Sequence, residues 1–208
     1  MTFIVVEGPE GAGKSTLVRW LAAKAIAEGR ATITVREPGG TPVAEAARKV
    51  ALRSKRDMGP AAELFLFLAA RADLVERVIR PALEAGELVL ADRFGLSTLS
   101  YQVAGRGLPQ PEVEAALRLA MGRLEPDLTL VLDVPVDVGR ERQRKAGKDQ
   151  DRFERQDDAF HERVLEAYRR AAGPGIVHLD ATQPKRAVQE AAWRATLAVI
   201  VPTLRGVS

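Results

Sequence analysis

A lysine and a hydroxyl stand side by side at Lys14-Ser15, closing a run of small residues, Gly8-Pro9-Glu10-Gly11-Ala12-Gly13. The eight residues fit the pattern GxxxxGK[ST]. Small residues there let successive backbone N–H groups turn into one concavity and hold phosphate oxygens at a helix N-terminus. Lys14 would reach the β- and γ-phosphates of a nucleoside triphosphate such as ATP. Ser15 would offer its hydroxyl to Mg²⁺, a hard cation that prefers oxygen ligands and is held by few protein groups. Phe3-Ile4-Val5-Val6 before the loop and Thr16-Leu17-Val18 after it supply the strand and helix that this chemistry needs.

A second pair, Asp92-Arg93, follows the apolar run 87–91. A GTP switch would carry a guanine-reading NKxD, which is absent, and a motor ATPase would end its metal-binding strand in Asp-Glu. An arginine beside the carboxylate suits a second phosphate, because its fork meets two oxygens at once. The expected acceptor is therefore itself anionic. Residues 136–155 form the most charged stretch, with Arg140, Arg142, Arg144, Lys145, Lys148, Arg152 and Arg155 among acidic residues, and Gly147 interrupts it as a flap hinge would. Charge alone reads this stretch as a solvated, ion-paired helix.

The elements that must position these residues follow from periodicity. Strands are expected over 3–6, 31–35, 87–91, 128–132 and 175–179. Helices are expected over 13–28, 43–54, 64–79 (with Pro81 beyond the end), 111–123 and 156–172, and a closing helix over residues up to about 204. Residues 97–102 show little periodicity. The alternation implies a mainly parallel five-stranded sheet with helices on both faces, in which ligands bind at the strands' carboxyl ends. At 208 residues, 46% hydrophobic and 28% charged, the chain suits one domain. No apolar run could span a bilayer, and the N-terminus lacks the regions of a signal peptide, so the cytoplasm is the expected compartment. The chain has no cysteine, which removes thiolate chemistry, and its two histidines, His161 and His178, read as surface or satisfied polar positions. A net charge of +3 is small and spread out, and bound polyphosphate accounts for it as well as nucleic acid would, so neither a nucleic-acid nor a membrane partner is expected.

Six segments in order carry a family resemblance: GPEGAGKST (8–16), REPGGT (36–41), FLAAR (67–71), DRFGLSTLSYQ (92–102), DRFE (151–154) and DATQP (180–184). Together they resemble the bacterial thymidylate kinases, over nearly the whole chain. The resemblance implies a three-layer P-loop fold of the nucleoside monophosphate kinase type and phosphoryl transfer from ATP to dTMP with Mg²⁺, in a homodimer. It implies that Gly8 to Thr16 cradle ATP, with Lys14 catalytic and Ser15 and Asp92 at the metal. Phe67 would stack on thymine, Arg71 would bond its exocyclic oxygen, and Glu10 would meet the sugar 3′-hydroxyl. Arg93 would hold the dTMP phosphate with Arg36 helping. Ser97, Thr98, Tyr101 and Gln102 would surround base and sugar, with Tyr101 the gate against a ribose 2′-hydroxyl. Arg144 and Gln183 would lie along ATP, the latter beside adenine. Residues 140–155 would be a lid. Because Gly11 stands where some members place a catalytic arginine, Arg152 of the lid is expected to supply that charge. Phe94, where tyrosine is common, and Val103-Ala104-Gly105 depart from the family pattern.

Independently of the resemblance, the apolar helix of residues 64–79 is buried on more than one face, so it lies against a second subunit, with Leu64, Phe65 and Leu68 at the interface, or lines a ligand pocket, and the two are compatible. Other classes fit parts of the pattern. The nearest is another P-loop kinase, either a different nucleoside monophosphate kinase or a nucleoside kinase, which would need Glu10 or Glu37 as a base; a nucleotide-dependent ATPase or assembly switch would leave Phe67, Arg71, Asp92 and Arg93 without a shared purpose.

Overall fold

A computed structural model describes residues 1–53, 58–145, 147, 152–153 and 155–200. Five strands, β1 (Thr2–Glu7), β2 (Thr32–Arg36), β3 (Leu88–Asp92), β4 (Leu128–Asp133) and β5 (Ile176–Asp180), lie in the order β2-β3-β1-β4-β5, with every pair parallel. Parallel strands need crossovers, and helices supply them on both faces. Along β1 the side chains alternate between two apolar layers, as the period of two requires. Ile4 and Val6 pack with Leu17, Val18 and Leu21 of α1 (Lys14–Ala27) and Ala192 and Ile200 of α9 (Lys185–Ile200). Phe3 and Val5 face the opposite layer, with Leu74, Ile79 and Leu83.

That second layer is built by one long helical run: α3 (Pro60–Leu74), a π-helical turn (Val75–Ile79) and α4 (Arg80–Glu84). The helix was expected to stop before Pro81. Instead it passes through, because the wider π-turn precedes the proline and Pro81 sits at the start of the resumed α-helix, where a missing N–H is tolerated. Helix α2 (Pro42–Arg53) packs on α3 through Ala44, Ala47 and Ala70. Residues 95–105, aperiodic in sequence, are also helical: a short α5 (Gly95–Thr98) runs into a second π-segment (Leu99–Gly105). A π-turn shifts side chains off the 3.6-residue period, which is why this element escaped a pattern search. Helix α6 (Gln110–Met121) packs on α3, α7 (Val136–Lys145) opens the charged stretch expected as a lid, and α8 (Asp158–Arg170) follows it, capped by Asp157. The expected end of the closing helix near residue 204 and lid residues 146, 148–151 and 154 lie outside the described residues.

The apolar surround expected for α3 is met mostly within the chain. Leu64 and Leu68, expected at a dimer face, are buried against Val113 and Leu117 of α6. Phe65 remains 63% exposed.

Candidate active site

Strand register brings the chemistry together. Val6 lies opposite Asp92 and Arg36 opposite the same residue, so the phosphate loop, Asp92-Arg93 and Arg36 leave the sheet at one edge. The loop needs glycine for two different reasons. A Cβ on Gly8, at φ 138°, would stand 2.7 Å from the Leu132 carbonyl oxygen of β4. A Cβ on Gly11, at φ 73°, would collide with the backbone of Gly139 in α7, while one on Gly139 would come within 2.6 Å of the Glu10 carbonyl. The phosphate loop and the first turn of α7 therefore touch backbone to backbone, glycine on glycine. Arg142 and Gln143, three and four positions beyond Gly139 and so on the same helix face, line the phosphate-loop cleft.

At the loop's end Ser15 donates to Asp92 Oδ2, so two hard oxygen donors meet where β1 and β3 finish. This donor set fits Mg²⁺. Lys14 Nζ donates to the Pro9 carbonyl at 2.7 Å. Burial and the nearby Arg93 guanidinium lower the Lys14 ammonium to about 8, against the pull of Glu10 and Asp92. Bound phosphates would raise it again.

Arg93, the residue expected at the acceptor phosphate, lines the same cleft. It is the one non-glycine residue with positive φ, 75°, among the described residues. Such a backbone conformation costs on the order of 1 kcal/mol or more. Its N–H donates to Val6 O at 3.0 Å, and its guanidinium is held on both edges. Nη2 pairs with Glu10 Oε1 at 2.5 Å and with Tyr101 Oη at 3.2 Å, and Nη1 reaches Gly8 O, Ser97 Oγ and Tyr168 Oη. Burial opposes ionisation of Glu10, but Arg93 and then Lys14 outweigh it and hold the carboxyl at about 2. Burial pushes the Tyr101 phenol up, so its hydroxyl remains a donor, and it lies 3.2 Å from Glu10 Oε1.

At the far end of the cleft Arg71 is buried in α3. Its Nε and Nη2 clamp Glu37 Oε2 at 2.7 and 2.6 Å, Nη1 donates to Thr98 Oγ1 at 2.8 Å, and Nη2 also reaches Phe94 O. Burial raises the Glu37 carboxyl and Arg71 opposes it. Phe67, Arg71, Thr98, Tyr101 and Gln102 line the same cleft as Lys14, Ser15 and Asp92, a cavity of about 1290 Å³. Phe67 stacks obliquely on Phe153, with ring centroids 5.7 Å apart.

Several expected residues hold partners of their own, some within the cleft wall and some away from it. Gln102 donates to the buried Glu63. Ser97 lines the cleft, and its hydroxyl donates to Glu7 and accepts from Arg93. Arg36 pairs with Glu45 at the cleft wall. Arg152 pairs with Glu63 at 2.9 Å and donates to Met58 O, and it is not among the residues lining the cleft, whereas Arg142 and Arg155 are. Arg144 pairs with Glu141 on the surface of α7, and Gln183 with Asp180 at the end of β5. The two histidines also divide. Both ring nitrogens of His178 have acceptors, whereas His161 Nε2 is buried with no partner among the described residues. Glu7 and Tyr168 belong to the site and went unnoticed in sequence: Glu7 reads as the last residue of a strand, and Tyr168 as one buried position of an amphipathic helix.

A phosphate loop with its oxygen donors, facing an arginine held for a second anion and a recess of arginine and aromatic rings beyond it, defines a P-loop kinase of small phosphorylated acceptors. Comparison with known proteins narrows the class. The family model for thymidylate kinase matches residues 6–192, and the chain belongs to the thymidylate kinase family. Proteins named thymidylate kinase from Pseudomonas fluorescens Pf-5, Thermomicrobium roseum and Deinococcus radiodurans are 50%, 46% and 42% identical to it. The aligned regions cover 90%, 92% and 93% of this chain and 91%, 92% and 95% of theirs.

Proposed function

We propose that this chain transfers the γ-phosphoryl group of ATP to dTMP, giving ADP and dTDP for dTTP synthesis, as one domain acting in the cytoplasm. The observation that carries the reading is the single cleft that joins Lys14, Ser15 and Asp92 at one end to Phe67 and Arg71 at the other, with Arg93 between them. A monophosphate has a second pKa near 6, so at neutral pH the acceptor is largely a dianion and attacks without a base. Glu10 and Glu37, the carboxylates a nucleoside kinase would need as bases, are each committed to an arginine.

The assigned roles follow the cleft. Backbone groups from Gly8 to Thr16 hold the triphosphate and Lys14 meets its developing charge. Ser15 and Asp92 would hold Mg²⁺, which supplies charge neutralisation at the phosphates when bound. Arg93 takes the acceptor phosphate, with Arg36 near it. Phe67 and Arg71 take the thymine, with Thr98 and Gln102 behind them, and Glu10 and Tyr101 take the sugar. Gln183 and Arg144 flank the donor. Arg152 serves the transferring group by giving up Glu63 as the lid segment closes. Closure excludes water that would otherwise accept the phosphoryl group.

Phosphate transfer measured over a panel of monophosphates, beside ATP hydrolysis with no acceptor, tests the reading. The expected outcome is transfer to dTMP that requires a divalent cation, with little acceptor-free hydrolysis. Hydrolysis unaffected by any monophosphate would replace the kinase with an ATPase.

A further inference from the structure

Resting on the reading of Arg93 as the acceptor-phosphate residue, we propose that Tyr168 of α8 is a positioning residue that fixes one edge of the Arg93 guanidinium and leaves the other free to change partner. The hydrogen-bond directions leave little choice. Arginine only donates and a carboxylate only accepts, so a hydroxyl between them must relay. Tyr168 Oη lies 3.0 Å from Arg93 Nη1 and 3.2 Å from Glu7 Oε2, and Ser97 Oγ lies 3.0 Å from Nη1 and 2.6 Å from the same Oε2. The two hydroxyls are 2.9 Å apart.

The carboxylate behind them is itself immobilised. Glu7 is fully buried, and its Oε1 accepts the backbone N–H groups of Phe94 at 2.8 Å and Ser97 at 3.0 Å, at the start of α5. Tyr168 is equally buried. Gly8 O at 3.2 Å adds a third acceptor to Nη1, so the two protons of that nitrogen are fully committed to the interior. Nη2 differs. Its charged partner, Glu10, is 28% exposed in the cleft and belongs to the phosphate loop, so an arriving phosphate dianion can replace it without disturbing the Nη1 edge. The guanidinium is thus aimed before the acceptor binds, which reduces the ordering cost of binding. The aim comes from a helix that carries no cleft-facing charge of its own among the described residues.

The test separates the phosphate contact from the fold. Tyr168→Phe keeps the buried ring and removes only the hydroxyl. Binding of dTMP and of thymidine, which lacks the phosphate, is measured by calorimetry on this variant and on Arg93→Ala. We expect Tyr168→Phe to weaken dTMP about tenfold, the scale of one hydrogen bond to a charged group, and to leave thymidine unchanged. A variant that binds both ligands as the wild type does, or weakens both equally, overturns the positioning role. If Arg93→Ala preserves the ratio of dTMP to thymidine affinity, the acceptor-phosphate reading itself falls and takes this proposal with it. Should Tyr168→Phe fail to fold, Ser97→Ala removes the companion hydroxyl, and the same affinity ratio, lowered or unchanged, decides between the outcomes.

Discussion

At the scale of single residues, the site is governed by how few charges are left uncommitted. Lys14→Ala removes a preorganised cation from the developing phosphoryl charge and should lower kcat about a hundredfold or more, with an unchanged circular dichroism spectrum. The same lysine sets an upper pH limit. Its ammonium is lowered to about 8 in the nucleotide-free site, so kcat/KM for ATP, which reports free enzyme, should fall as pH rises through about 8. Arg71 makes a different prediction. Its loss removes the recess's hydrogen-bond donor, so Arg71→Ala should raise KM for dTMP and relax base choice. It also strands Glu37 in the interior, a loss of about 3 kcal/mol when a buried pair is broken. Burial without Arg71 raises the Glu37 carboxyl unopposed. The folded mutant then binds more protons than the unfolded chain, so its stability falls as pH rises, and its deficit against wild type should shrink at acidic pH in thermal melts. Glu7 and Tyr168 were not readable from residue types, because nothing local marks a strand-end glutamate or a helix-face tyrosine as partners of Arg93. Their meeting is a product of the fold.

At the scale of elements, the strands and most helices were legible because their apolar periods are regular, and the ladder extends to Arg36, Asp92, Asp133 and Asp180, one residue beyond each expected strand end. The two π-segments were not legible. One carries the helix through Pro81 and the other turns Tyr101 and Gln102 inward, both by departing from the period that sequence patterns detect. The lid was only half legible, since a run of arginines does not say which one faces the cleft. Arg152 is held by Glu63, beside Arg106, at the base of α3. If lid closure transfers Arg152 to the reacting group, Arg152→Ala should reduce kcat about 10³-fold and hardly alter dTMP affinity. Full kcat in that variant would pass the role to Arg142 or Arg155, and single alanine substitutions there, assayed at saturating substrates, would tell which.

At the scale of the whole molecule, exposed apolar side chains among the described residues include a group on α2 and α3. On α3, Phe65 stands exposed among Ala61, Ala62 and Ala69, and on the adjoining α2, Val43 and Val50 are also exposed. This face, without the buried Leu64 and Leu68, is where a second copy is expected to pack. Sedimentation should give a dimer at micromolar concentration, and Phe65→Asp should shift it to monomer. A wild-type monomer would remove the dimer and leave the catalytic reading intact. The contact between Gly11 and Gly139 reaches further than either position. A phosphate loop bearing its own arginine at position 11 could not close against this lid helix, and a lid helix bearing any side chain at 139 could not close against this loop. A single change at either position, Gly11→Ala or Gly139→Ala, should therefore wedge loop and helix apart and divert ATP to water, read as a rise in acceptor-free hydrolysis.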